Sequence, residues 1–284
     1  MQDDDLRAST NIDDRRGMGG ATKGGLSIGV IVVLGLISWA TGIDPRVLIG
    51  GAEMVAGGGQ PTQSVQGRQG TPTDATGNFV ARVLGETEDV WTQILPQQTG
   101  VQYRKPILVL YSGVTSSGCG TAQSAMGPFY CPRDQKLYLD TSFFQDMQRK
   151  LGGGGDFAYA YVIAHEVGHH VQNLIGLLPK VQAAQARADT RTANDLSVRV
   201  ELMADCLAGV WGYQMNLRHR NIDDADVRQA VATASAIGDD RLQQESGRGA
   251  VVPDSFTHGS SAQRVQWLTT GLRSGAVQSC NTFK

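Results

Sequence analysis

The stretch Phe157-Ala158-Tyr159-Ala160-Tyr161-Val162-Ile163-Ala164-His165-Glu166-Val167-Gly168-His169-His170 decides how this chain folds. It is apolar up to His165, contains no helix breaker before Gly168, and runs on through Val171, Leu174 and Ile175. The pattern predicts one buried helix, opening near Asp156 and closed by Gly176 and Pro179. Residues four apart share a helix face. His165 and His169 therefore reach a single metal ion from one element. Glu166 is turned about 100° away from His165, so it meets water beside the metal and not the metal itself. His170 points elsewhere and reads as a packing or hydrogen-bonding residue. A carboxylate and three histidines on a buried helix need partners, because an unpaired buried charge is costly.

A metal site that does chemistry needs three protein ligands and one open position. Glu201, in the second motif Glu201-Leu202-Met203-Ala204-Asp205, is the candidate third ligand. Its helix is expected over about 194–217, with Leu202, Cys206, Leu207, Val210, Trp211 and Met215 as its packing face. Asp205 lies one turn beyond Glu201. There it can accept the second ring N–H of His165 or His169 and fix the ligating tautomer.

H-E-x-x-H is the arrangement of zinc peptidases, though alone it is a weak pattern. Three further segments strengthen it. The stretches His165 to His170, Glu201 to Trp211, Thr257-His258-Gly259-Ser260-Ser261-Ala262-Gln263-Arg264 and Gly127-Pro128-Phe129-Tyr130-Cys131-Pro132 resemble the bacterial putative neutral zinc metallopeptidase family (YpfJ-like). That family is similar to the gluzincins, in which a downstream glutamate completes the zinc site. The resemblance implies Zn2+ held by His165, His169 and Glu201, with Glu166 as general base. It also implies an edge strand beside the helix that pairs with an extended substrate, to be supplied by 136–140 or 107–111.

His258 precedes a helix that opens at the capping box Ser260-x-x-Gln263. A donor placed there suits developing negative charge. His258 is thus the second catalytic candidate, after Glu166. Arg264, one turn in, is expected to pair with a carboxylate.

The N-terminal quarter concerns location. Residues 1–24 are polar and charged and read as a disordered cytoplasmic tail. Residues 25–43 carry no charge and approach the span of about 20 apolar residues that a bilayer requires. Arg7, Arg15, Arg16 and Lys23 precede them and only Arg46 follows closely. The positive-inside rule then predicts one membrane pass, with the remainder extracytoplasmic. A cleaved signal peptide would have a shorter apolar core and a small-x-small site, which is missing. Residues 44–75, rich in Gly, Pro and Gln, read as a linker. The zinc metallopeptidase domain is expected over 76–284.

Within that domain, Phe79, Val80, Val83, Leu84, Trp91, Ile94 and Leu95 predict a helix over 78–95. Pro106 to Tyr111 reads as a buried strand, and 129–131 with 136–140 as a hairpin. An Ala/Gln-rich helix is expected over 180–188, a polar loop over 189–195, and a helix capped by Asp223. The run Gly152 to Gly155 lacks a following Gly-Lys-Ser/Thr and reads as a loop. Cys119 and Cys131 do not match zinc-knuckle spacing and are expected to bridge. Cys206 is open to pairing with Cys280 or to burial as a thiol.

The expected architecture is α+β and mainly helical: a zincin-like metallopeptidase domain with a small sheet, preceded by one transmembrane helix. The expected function is a membrane-anchored zinc endopeptidase taking peptide or protein substrates. The alternatives are a zinc-stabilised scaffold or chaperone and a cell-wall peptide amidase. A formal charge of −2 gives no reason to invoke nucleic acid. Oligomeric state is left open.

Overall fold

A computed structural model describes residues 1–17, 67–150, 155–245 and 251–284. In chain order the elements are β1 (Ile12–Asp14), β2 (Arg68–Gln69), α1 (Ala75–Thr99), β3 (Ile107–Tyr111), β4 (Val114–Ser117), β5 (Gly120–Gln123), β6 (Phe129–Cys131) and β7 (Lys136–Asp140). The helices α2 (Ser142–Lys150), α3 (Asp156–Leu174), α4 (Leu177–Gln185), α5 (Thr190–His219), α6 (Asp224–Ala236), α7 (Asp239–Glu245) and α8 (Ser261–Ser274) follow. Short 3-10 turns cover Ser124–Met126, Pro253–Ser255 and Val277–Cys280.

The main sheet has the order β2-β1-β3-β7-β6. β3 runs parallel to both β1 and β7, whereas β2 and β6 pair antiparallel at the two margins. The apolar run of β3 is explained by its neighbours on both sides, since interior parallel strands are covered on both faces. The expected hairpin is present, with Phe129 opposite Tyr138 and Cys131 opposite Lys136. Neither 107–111 nor 136–140 can offer a free edge, because each is paired on both sides. The expected assignment of the edge is thus corrected: among the described residues the free margin on this side is β6.

α3 is the central helix. It packs on α1, α4, α5 and α6 and is buried through Phe157, Ala160, Tyr161, Ala164, Val167 and Val171. Gly155, at φ 112°, caps it in a conformation that disfavours a side chain, and Asp156 sits in the first turn. The helix stops at Leu174, where Gly176 turns left-handed (φ 77°). Pro179 does not end this region; it stands in the first turn of α4, where a missing N–H costs nothing. The polar loop expected over 189–195 is also corrected. Asp189 accepts the Thr192 N–H at 2.7 Å and starts α5 at Thr190.

Residues 1–17 are not a free tail. Ile12 is fully buried, and β1 lies between β2 and β3. The Met1 ammonium meets Asp226 at 2.5 Å, Arg7 meets Glu88 and Asp89, and Arg15 meets Asp13. The polar composition misleads because this segment is held by sheet pairing and ion pairs, with little apolar surface.

The expected single membrane pass is corrected. No helix among the described residues is long and apolar enough to cross a membrane. Asp13 pairs with Gln69, and Arg16 bonds Asp74. These contacts tie the N-terminal segment to β2 and to the start of α1. The segment 25–43 itself, most of the expected linker and Gly152 to Gly154 lie outside the described residues.

Two disulfides are formed: Cys119–Cys131, joining the β4–β5 connection to β6, and Cys206–Cys280, joining α5 to the C-terminal turn. Their sequence separations are 12 and 74. In the chain-entropy account, closing the longer loop stabilises by about 4 kcal/mol and the shorter by about 3. Replacing Cys206 and Cys280 with Ala is therefore expected to lower the urea midpoint more than replacing Cys119 and Cys131. Equal or reversed losses would contradict this ranking.

Candidate metal centre

Two helices build the site. α3 carries His165 and His169 one turn apart, and α5 crosses it with Glu201 and Asp205. The crossing is close at Gly168, where an added Cβ would lie 3.1 Å from the Ala204 carbonyl oxygen and 3.2 Å from its Cα. The contact keeps the two motifs in register.

Ligand atoms of His165, His169 and Glu201 all lie within 4.8 Å of one another. Glu201 Oε2 is 3.1 Å from His165 Nε2, and Oε1 is 3.5 Å from His169 Nε2. The outer nitrogens are already committed. His165 Nδ1 donates to Asp205 Oδ1 at 2.9 Å. His169 Nδ1 donates to Gln172 Oε1 at 2.9 Å, and Gln172 is oriented by its own bond to the Val200 carbonyl at 2.7 Å. Both rings are thereby held in the tautomer that presents Nε2 to the cluster.

Asp205 is fully buried and makes four charge-assisted bonds. Besides His165, it accepts from Tyr161 Oη at 2.6 Å and from Arg264 Nε and Nη2, both at 2.9 Å. Arg264 therefore pairs with a carboxylate in the fork geometry that suits guanidinium. Burial opposes the charged form of Asp205, but Arg264 and His165 outweigh it and hold the carboxyl below its ordinary value. Glu201 is lowered in the same way: burial opposes it, while His169, His165 and His258 favour the carboxylate. Burial likewise opposes the imidazolium of His165, yet its bonds to Asp205 and Glu201 raise it to about 10.

Glu166 is buried and faces the same cavity, of about 500 Å3, as His165, His169 and Glu201. Among the described residues none donates a hydrogen bond to its carboxylate. Its apolar lining includes Met126, Phe129, Phe143, Leu178 and Val181. His258 lines this cavity too, about one-third exposed. Its Nδ1 lies 3.3 Å from Asp239 Oδ1 and 3.0 Å from Thr257 Oγ1, which leaves Nε2 without a protein partner among the described residues. Asp239 Oδ2 also collects the backbone N–H groups of Thr257, His258 and Gly259 at 2.6–3.0 Å. Burial opposes the Asp239 carboxylate, but these bonds and His258 keep its pKa low.

His170 is not in the cluster; it bonds Tyr130 and the Arg104 carbonyl. Cys206 is in a disulfide and cannot ligate. Three partners escaped sequence reasoning: Tyr161, Gln172 and Asp239. Tyr161 and Gln172 stand four before His165 and three after His169, so helical spacing carried a signal for them. Asp239 reaches His258 from a different element and left none.

The family model described as "Putative neutral zinc metallopeptidase" matches residues 1–283. The protein YpfJ of Escherichia coli (strain K12) is 46% identical over 289 residues, covering 98% of this chain and 96% of that relative. Rv2575 of Mycobacterium tuberculosis (strain ATCC 25618 / H37Rv) is 43% identical over 220 residues, covering 74% of this chain and 69% of its own. Both are named only as uncharacterized proteins. No solved structure matches the chain significantly.

The raised His165 gives a pH prediction. Its folded value, about 10, exceeds the ordinary 6.5, so its contribution to the metal-free fold is complete below pH 6.5 and lost as pH rises towards 10. The melting temperature of chelator-treated protein should fall across that window, and metal uptake at neutral pH should release protons. Calorimetry in buffers of different ionisation enthalpy detects that release; zero release contradicts the assignment. Asp205→Asn should weaken metal binding by roughly 10- to 100-fold, measured by competition with a chelating dye.

Proposed function

The chain belongs to the family described as putative neutral zinc metallopeptidases, and from that premise we propose that it is a zinc-dependent endopeptidase. The observation that carries this reading is the gathering of His165, His169 and Glu201 around one point, with Glu166 facing the same cavity.

The donor set fits zinc. Two imidazole nitrogens and one carboxylate oxygen are the ligand types of catalytic zinc sites, and each imidazole has a fixed outer hydrogen bond. Three ligands beside a cavity leave room for water, whereas a structural zinc site is closed by four protein ligands. The scaffold reading draws no support from that count. When bound, zinc supplies Lewis acidity, which acidifies water and polarises a carbonyl.

The remaining roles fall to the protein. Glu166 takes the proton of the attacking water and passes it to the leaving amine. His258 faces Asp239 through Nδ1, and with hydrogen on both ring nitrogens it donates from Nε2 to the oxygen on which negative charge develops. The free margin of β6 offers main-chain groups to an extended peptide, a mode that gives affinity without strict sequence demand.

The lining supports cleavage within a chain and not at its ends. Arg264 is the only lysine or arginine among the described lining residues, and Asp205 engages it. It is not free to bind a terminal carboxylate. The carboxylates in the lining are Glu166 and Glu201, both with assigned roles.

Chelator-sensitive cleavage of a peptide library, with metal content measured in parallel, tests the reading. Glu166→Gln is expected to keep its zinc and lose about 10²- to 10⁴-fold in turnover. Glu201→Ala should lose zinc along with activity. His258→Ala should lower kcat at unchanged zinc content. Normal turnover by the zinc-loaded Glu166→Gln protein contradicts the mechanism.

A further inference from the structure

His170 follows a candidate ligand directly and takes no part in the cluster, yet it is almost fully buried. Its Nε2 lies 2.6 Å from the Arg104 carbonyl oxygen. A carbonyl only accepts, so Nε2 carries the hydrogen. In the neutral imidazole one ring nitrogen carries the hydrogen and the other accepts. Nδ1 is then a lone pair, and the Tyr130 hydroxyl, 3.0 Å away, donates to it. Asn173, one turn along, donates its Nδ2 to the same hydroxyl oxygen at 3.0 Å. The Tyr103 and Tyr130 rings stand edge-on to the imidazole, at 5.7 and 5.4 Å.

Tyr130 is the middle residue of β6, and β6 is the free edge beside the cavity. This strand has three residues and, among the described residues, pairs on one side only, with β7. Its neighbours Phe129 and Cys131 turn to the opposite face, where Phe129 stacks on Tyr138 at 4.9 Å and Cys131 is bridged to Cys119. On the α3 side the described side-chain hydrogen bonds of the strand all run through Tyr130. The turn of α3 that follows His169 therefore holds the edge strand as well.

We propose that His170 is a positioning residue which, through Tyr130, sets the distance between the edge of β6 and the metal ligands and so governs binding of an extended peptide. The chemistry at the cluster does not pass through it. The inference rests on the proposed peptidase function.

The test uses the zinc-loaded full chain and two peptides sharing one scissile bond, one short and one long enough to lie along β6. His170→Phe preserves the aromatic packing and removes both ring nitrogens. Tyr130→Phe removes only the hydroxyl, and serves if the first variant fails to fold. Each is expected to raise KM for the long peptide about tenfold, the size of one lost hydrogen bond of about 1.4 kcal/mol. Its kcat, the zinc affinity and the kinetics of the short peptide should stay within about twofold of wild type. The double variant should be no worse than either single one, since both break one link. A loss of kcat at constant KM, equal losses on both peptides, or multiplying losses in the double variant would overturn the proposal and leave the peptidase reading standing. Absence of zinc-dependent cleavage by the wild-type chain would overturn that reading, and this inference with it.

Discussion

A single carboxylate, that of Asp205, joins the parts of this protein on which the site depends. It receives Arg264 from α8, Tyr161 and His165 from α3, and itself belongs to α5. Burying an anion among apolar residues costs several kcal/mol unless its lone pairs are filled. Here four donors fill them. Each donor is also constrained, so the network fixes the relation of three helices and the ring orientation of one ligand together. Such an arrangement does not slide: removing one partner strands a buried charge, with a penalty of roughly 3–5 kcal/mol.

Around this network the helices come unusually near. Gly271 of α8 packs on α5 so closely that a Cβ would sit 1.9 Å from the Cys206 carbonyl oxygen. Gly168 plays the same part between α3 and α5. Small residues at these crossings let the backbones approach, and the Cys206–Cys280 bridge ties the C-terminal turn against α5. The pairing of His165 with Glu201 is thus an outcome of backbone packing, to which the side chains add polarity.

The sheet contributes differently. Its central strands are covered on both sides, and its order leaves β6 free beside the cavity. The N-terminal strand enters between β2 and β3, so the folded body is built from both ends of the described chain. Among the described residues no helix is long and apolar enough to cross a membrane. An apolar run of the right length is necessary for a membrane helix; it says nothing about whether its flanks pair with each other.

Much of the site was legible without coordinates. The spacing of His165, Glu166 and His169, the Glu201 motif, the capping residues Asp223 and Ser260, and the β6–β7 hairpin follow from local periodicity, because helices and tight turns are encoded by residues close in sequence. Asp205 was legible as a partner of the histidines, being one turn from Glu201. What tertiary structure alone decided involves residues far apart. The strand Ile12–Asp14 looked like a polar tail, since its stability comes from main-chain pairing with β3 and from ion pairs that composition does not reveal. The choice of β6 as the edge required knowing what flanks β3 and β7. The seat of Asp239 under His258, and of His170 behind Tyr130, depend on contacts between separate elements, whose geometry no local pattern records.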